Sequence, residues 1–123
     1  MIKFTISLSP VTKKNSQRIV YRGRQPKILP SEKYEQYECD AGWFIKPLGI
    51  DYPVNVRCLY YMPTKRIVDL VNLQEATLDV LVKYGAIKDD NSRIVVSMDG
   101  SRVLYDKENP RTEIYIERLD DER

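Results

Sequence analysis

Apolar and polar residues alternate at the start of the chain, with Ile2, Phe4, Ile6 and Leu8 set against Lys3, Thr5 and Ser7. A period of two places each set on one face of a strand, so residues 2–8 predict a half-buried strand that Pro10 ends. The pattern then lapses. Residues 9–30 are rich in Lys, Arg, Asn, Gln and Pro, with a strand-like patch at Arg18–Tyr21 and a turn at Gly23. This predicts a long loop or open hairpin, a kind of segment that is usually functional or mobile. From Pro30-Ser31 the period becomes helical. Ser31 is a good N-cap, Glu32 and Glu35 suit a positive helix start, and Tyr34, Tyr37, Ala41, Phe44 and Ile45 recur at helical spacing. Pro47 and Gly49 stop that helix.

Val54, Val56, Cys58, Tyr60 and Met62 alternate again, and Leu59 and Tyr61 stand among the residues between them. A strand apolar on one face and partly apolar on the other predicts a central position. A second helix is expected from about Asp69 to Tyr84, with Gly85 at its C′ position. Leu73, Ala76, Thr77, Val80 and Tyr84 share its inner face, with Leu70 and Leu81 beside them. Ile94, Val96 and Met98 predict one face of a further strand, which continues to Tyr105 through a turn or bulge near Gly100. Ile114 and Ile116 alternate with Glu113, Tyr115 and Glu117 in the last strand, after a turn at Asn109-Pro110. The expectation is a single α+β domain with a mixed or antiparallel sheet and two main helices.

Composition narrows the function. The 123 residues suffice for one core, and 42% hydrophobic with 31% charged is an ordinary globular balance. No apolar run approaches the roughly 20 residues of a membrane helix. No apolar stretch follows a basic start, so no signal peptide is expected. Two cysteines, Cys39 and Cys58, do not make a disulfide scaffold, and a reduced, cytoplasmic protein is expected. The absence of histidine excludes histidine triads, Cys/His zinc sites and histidine general bases.

The net charge of +2 hides an asymmetry. Residues 1–30 hold seven basic side chains and no acidic one, while residues 31–123 hold 13 basic and 18 acidic. A basic arm on a mildly acidic body points to a polyanion as partner. The alternative is a solvated loop in which cations cluster by chance.

On the second helix Asn72, Glu75, Asp79 and Lys83 form a polar stripe, and Asp69 stands at its start. Asp89-Asp90-Asn91 follows the helix closely. A solvated helix face and a polar turn capping the next strand would show the same pattern. If helix and turn bring Asp69, Glu75, Asp89 and Asp90 together, their repulsion calls for a cation. Hard oxygen ligands without His or Cys point to Mg²⁺ or Mn²⁺, which suit phosphodiester chemistry. Val71, Leu78 and Val82 form a second apolar strip on the far side of the stripe, which predicts a homodimer.

These residues resemble a known family. Asp69-Leu70-Val71-Asn72-Leu73-Gln74-Glu75, Asp79 and then Asp89-Asp90 look like the signature of RusA-type Holliday junction resolvases. The likeness covers nearly the whole chain. Residues 99–102 and 105–113 look like the ending of a Gram-positive and phage branch of that family. The resemblance implies a homodimer that binds four-way DNA junctions by shape and cuts symmetrically opposed strands with Mg²⁺ or Mn²⁺. It also implies a cytoplasmic protein of phage or prophage origin.

The family pattern is Asp-x-Asp-Asn, a lysine three residues on, then Asp-Asp. Asp69 matches the first aspartate, Asn72 the asparagine, and Asp89 and Asp90 the acidic pair, with Asp90 its catalytic member. Val71 replaces the second aspartate and Glu75 the lysine. The expectation is that Glu75 takes over the lost carboxylate. Asp69, Glu75, Asp89 and Asp90 are then the metal ligands, and Asn72 orients a ligand or touches the scissile phosphate. The alternative is a degenerate site, that is, a phage accessory protein that binds branched DNA without cutting it. Asp79 is either an outer partner of the ligands or an ion-pair partner of Lys83. Lys13, Lys14, Asn15, Arg18, Arg22 and Arg24 are expected on DNA phosphates. Lys65 and Arg66 either hold the backbone beside the cut or are solvated charge, and Tyr21 is a candidate for stacking on an exposed base.

Overall fold

The computed structural model describes residues 1–13 and 17–119; Lys14 and Asn15 lie outside these, as does the side chain of Arg18. Along the chain run β1 (Ile2–Ile6), β2 (Gln17–Arg22), β3 (Gln25–Pro30), α1 (Glu32–Ala41), a 3₁₀ turn (Gly42–Phe44), β4 (Val54–Met62), α2 (Leu70–Lys83), β5 (Val95–Ser97), β6 (Arg102–Tyr105) and β7 (Arg111–Arg118). The main sheet has the order β1-β7-β4, with β5 and β6 end to end along the other side of β4. β1 and β4 run antiparallel to β7, whereas β5 and β6 run parallel to β4. The sheet is therefore mixed, with β4 inside it, as its double-sided apolarity predicts.

Alternation decides which face is covered. Registers Phe4↔Ile114 and Ile6↔Thr112, with Val56↔Ile116, Cys58↔Ile114 and Tyr60↔Thr112, put one buried set on one face. Tyr34, Tyr37 and Ala41 of α1 and Leu73, Ala76, Val80 and Leu81 of α2 join that set in one core. No helix of the described structure is long and apolar enough to cross a membrane.

The opposite face is closed by side chains instead of helices. Lys3, Tyr115 and Arg57 are paired in register across three strands. Both cations lie over the Tyr115 ring, at 5.2 and 4.2 Å from its centre. Arg111 lies over its register partner Tyr61 at 3.8 Å and also bonds Glu113 and Asp106. Such pairs cover the rings and hold the charges at the surface together.

Two expectations are corrected. The first helix ends at Ala41 instead of Ile45, where the Tyr84 hydroxyl donates to the carbonyls of Glu38 and Cys39 at 2.7 and 3.3 Å. Its ring lies against Gly42, where an added Cβ would come within 2.5 Å of it. Ile94, Val96 and Met98 do not share a buried face. Ile94 is buried in a turn, Val96 is exposed, and the strand is broken between Ser97 and Arg102. The second helix agrees with expectation, including Gly85 beyond its end in the left-handed conformation, φ +76°.

Candidate active site

α2 carries most of the candidate chemistry, and its placement is built from both ends. Asp69 caps it, the carboxylate Oδ1 accepting from the Val71 N–H at 3.0 Å. At its C-terminal end Lys83 pairs with Glu38 of α1 at 2.7 Å. The expected Asp79–Lys83 alternative is thereby corrected: Asp79 faces Lys13, 3.8 Å away. Both partners are well exposed, so the pair contributes only about 0–1 kcal/mol. Its interest is positional, since it sets the connection leaving β1 against the polar stripe of α2.

Asp79 is also where the acidic groups converge electrostatically. Partial burial raises its pKa, Lys13 opposes the rise, and the charges of Glu75, Asp90 and Glu38 add to it. Glu75, from the helix, and Asp90, from the turn after it, thus each act on Asp79. Asp69 stands ten residues before Asp79, roughly 15 Å along the helix axis. Among the described residues no three Asp, Glu or Cys side chains stand close enough to hold a metal ion.

The turn after α2 divides its residues by use. Asp89 accepts from the Asp90 N–H at 2.7 Å and from the Asn91 side chain at 3.1 Å. Asn91 accepts from the Arg93 N–H, and its carbonyl takes the N–H groups of Ile94 and Val95. Asp89 and Asn91 therefore build the polar turn that leads into β5. The carboxylate of Asp90 is exposed and accepts no hydrogen bond among the described residues. Asn72 is half-buried, and its amide likewise makes no hydrogen bond among them. Asp69, Glu75 and Asp89 are exposed.

The basic segment is a hairpin that forms a second, separate two-stranded sheet, closed by the Gly23-Arg24 turn. Register Ile19↔Ile28 and Tyr21↔Pro26 puts these four residues on one face, and Ile19, Tyr21 and Ile28 are 62%, 70% and 64% exposed. Arg22 and Lys27 alternate onto the other face, and Arg22, Arg24 and Lys27 are exposed. Lys65 and Arg66 lie exposed on the loop that enters α2, with Lys65 over the Tyr105 ring at 5.2 Å. Of the second apolar strip, Leu78 and Val82 are half-buried against the core, and Val71 is 63% exposed.

The family model of endodeoxyribonuclease RusA matches residues 8–117. The chain belongs to the RusA family. A curated relative, the crossover junction endodeoxyribonuclease RusA of Aquifex aeolicus (strain VF5), is 29% identical over 94 residues, spanning 73% of this chain and 72% of the relative. The RusA match includes every candidate residue named above, from Lys13 to Asp90. It makes the chain a member of an endodeoxyribonuclease family, whose phosphodiester chemistry generally draws on a divalent cation.

The candidate donor set, Asp69, Glu75, Asp89 and Asp90, fits such a cation in chemistry, being all carboxylate. It does not form a closed protein cage. Mg²⁺ does not need one, because it typically binds one or two carboxylates and completes its shell with water and substrate phosphate. Sequence reasoning offered Asp79 as an outer partner of the ligands or as a partner of Lys83, and it did not foresee Lys13 beside it. It also left open the local duties of Asp69 and Asp89, which only the hydrogen bonds reveal.

Proposed function

We propose that this chain resolves four-way DNA junctions by paired symmetric nicking, acting as a homodimer in recombination and repair. The observation that carries the proposal is the RusA match over residues 8–117, with the cations and carboxylates of the match on different elements. Arg22, Arg24 and Lys27 of the hairpin, with Lys13, Lys14, Asn15 and Arg18, take DNA phosphates. Such contacts position a duplex without reading its bases. Lys65 and Arg66 hold the strand nearest Asp69.

Asp90 and Asp69 are the first carboxylates for Mg²⁺ or Mn²⁺, with Glu75 and Asp89 next and Asn72 toward the phosphate. When bound, the cation would neutralise charge on the phosphate and lower the pKa of water. Two apolar surfaces support the second copy: Val71 on α2, and the Ile19-Tyr21-Pro26-Ile28 face of the hairpin, whose area would otherwise face water. A cytoplasmic setting agrees with the free thiols Cys39 and Cys58, and we assign the chain a phage or prophage origin.

A second reading has its own observation. Among the described residues the carboxylates do not gather into a set of three, and Val71 offers no donor where the family pattern has an aspartate. This favours a non-catalytic protein that holds branched DNA. Incubating a labelled four-way junction with the protein in Mg²⁺ and in Mn²⁺, beside Asp90→Asn, separates the two. Paired symmetric nicks lost in Asp90→Asn support the resolvase; tight binding without a cut in either metal supports the second reading.

A further inference from the structure

A cleft of about 480 Å³ opens where three segments leave the sheet and helices: residues 9–12 after β1, residues 62–64 at the end of β4, and residues 66–68 before α2. The first turn of α1 contributes Lys33. The volume lies within the range of roughly 300–1,000 Å³ that small-molecule pockets occupy. Pro10, Val11 and Met62 make part of its lining apolar, Ser9, Thr12 and Thr64 add hydroxyl groups, and Lys33 and Arg66 supply its charges. Among the described residues no acidic one lines it, in a chain with 18 Asp and Glu.

The two cations are exposed, and neither makes an ion pair among the described residues. This sets them apart from Lys13, Lys83 and Arg111, which are all paired. Both long helices also begin here, α1 one residue before Lys33 and α2 two residues after Val68. Ile67 also lines the cleft and is fully exposed at 103%, between Arg66 and Val68. A bare isoleucine among cations is an unusual surface, and apolar side chains of this kind are used to part stacked bases.

We propose that the cleft takes one unstacked nucleotide of the bound DNA strand, its base on the apolar lining and its phosphate on Lys33 and Arg66, with Ile67 wedged into the stack it leaves. The inference rests on the junction-binding reading and adds to it a site outside the carboxylates. An unstacked nucleotide is the feature that a junction offers at its crossover and a continuous duplex does not, because unstacking there costs least. The cleft adjoins Asp69 through Val68, so the captured nucleotide neighbours the phosphate nearest α2. Nothing in the sequence separates Lys33 from a solvated helix lysine; only the fold brings it to Arg66.

The test uses four-way junctions carrying 2-aminopurine at each nucleotide nearest the crossover, with complex formation followed in parallel by gel shift. Wild-type protein should raise the fluorescence several-fold at one position. Val11→Trp, which fills the cleft, should abolish that rise. So should Lys33→Glu and Ile67→Asp, whose exposed positions keep misfolding out of the result. A complex that forms without a rise at any position, or a rise that survives all three changes, overturns the proposal and leaves junction binding intact. Failure to form a junction-selective complex at all overturns the underlying function instead. Binding of free dTMP with no 2-aminopurine response would assign the cleft to a soluble nucleotide, which also overturns it.

Discussion

Tyr60 of β4 and Thr77 of α2 meet hydroxyl to hydroxyl at 2.8 Å inside the core. Thr77 gives its own proton to the Leu73 carbonyl, 3.0 Å away, so Tyr60 is the donor to Thr77. This bond pins the rotation of α2 against the central strand and thereby aims its polar stripe. Burial pushes the Tyr60 hydroxyl far above its ordinary pKa, so it stays a proton donor at every working pH. Tyr60→Phe leaves Thr77 its bond to Leu73 and should cost about 1 kcal/mol. Thr77→Val strands a buried hydroxyl on Tyr60 and should cost more, about 1–3 kcal/mol. Urea unfolding of the two variants checks the order; the reverse order would place the donor elsewhere.

Asp69 has two proposed duties that one pair of variants can separate. Asn caps a helix about as well as Asp, whereas Ala loses about 1 kcal/mol. Asp69→Asn should therefore keep the melting temperature, while Asp69→Ala lowers it. If Asp69 also serves the chemistry, both variants lose junction cleavage. Cleavage that persists in Asp69→Asn would leave the residue a cap alone.

Arg111 holds two carboxylates below their ordinary values. Its hydrogen bonds lower Asp106 from 3.8, with the Asn109 N–H helping, and lower Glu113 from 4.5, with the Tyr115 hydroxyl helping. A folded pKa below the unfolded one gives stability that is present above the unfolded value and lost as pH falls through the folded one. Arg111→Gln should therefore melt below wild type at pH 7, and the gap should narrow as pH drops below about 4. A gap that stays constant down to pH 2 would assign the loss to the ring contact with Tyr61.

The two thiols should react at different rates. Cys39 is exposed; Cys58 is buried in β4, and burial pushes its pKa up to about 12. A thiol reagent at pH 8 should titrate one group in the folded protein and two in denaturant. Rapid reaction of both would show that the β4 core opens readily.

The cations should contribute unequally to DNA binding. Each phosphate contact steepens the fall of log K with log salt by about 0.9. Arg24→Gln should flatten that slope by nearly this amount. Lys13 already faces Asp79, so Lys13→Gln should flatten it less, and an equal effect would mean that the pair dissolves on binding.

Much of this was legible in one dimension because period and capping are local. The alternation in residues 54–62, Ser31, Gly85 and the inner face of α2 all behave as their spacing requires. The hairpin could be read from its charge and Gly23, although its separation from the main sheet could not. What escaped depends on contacts between distant residues. Tyr84 ends α1 from more than forty residues away, Asn55 engages the 97–99 segment, and Lys33 and Arg66 come to line one cleft only after folding. At the site, the residue types were visible, but whether a carboxylate caps a helix, builds a turn or stays available is a matter of geometry. Asp69, Asp89 and Asp90 show one case each.

The break between β5 and β6 has an effect beyond the site. An unbroken strand here would present a straight row of free N–H and C=O groups to any passing chain. Instead the Asn55 side chain takes the Asp99 N–H at 2.8 Å and the Ser97 hydroxyl at 2.6 Å, and gives its own N–H to the Asp99 carbonyl. Ser101 accepts the Cys58 N–H at 3.0 Å. Side chains thus satisfy the inner strand while the outer one bends away, leaving two stubs of three and four residues. Short, kinked edges make poor templates for strand addition. The fold can keep this border of its sheet uncovered while resisting the edge-to-edge stacking that leads to aggregates.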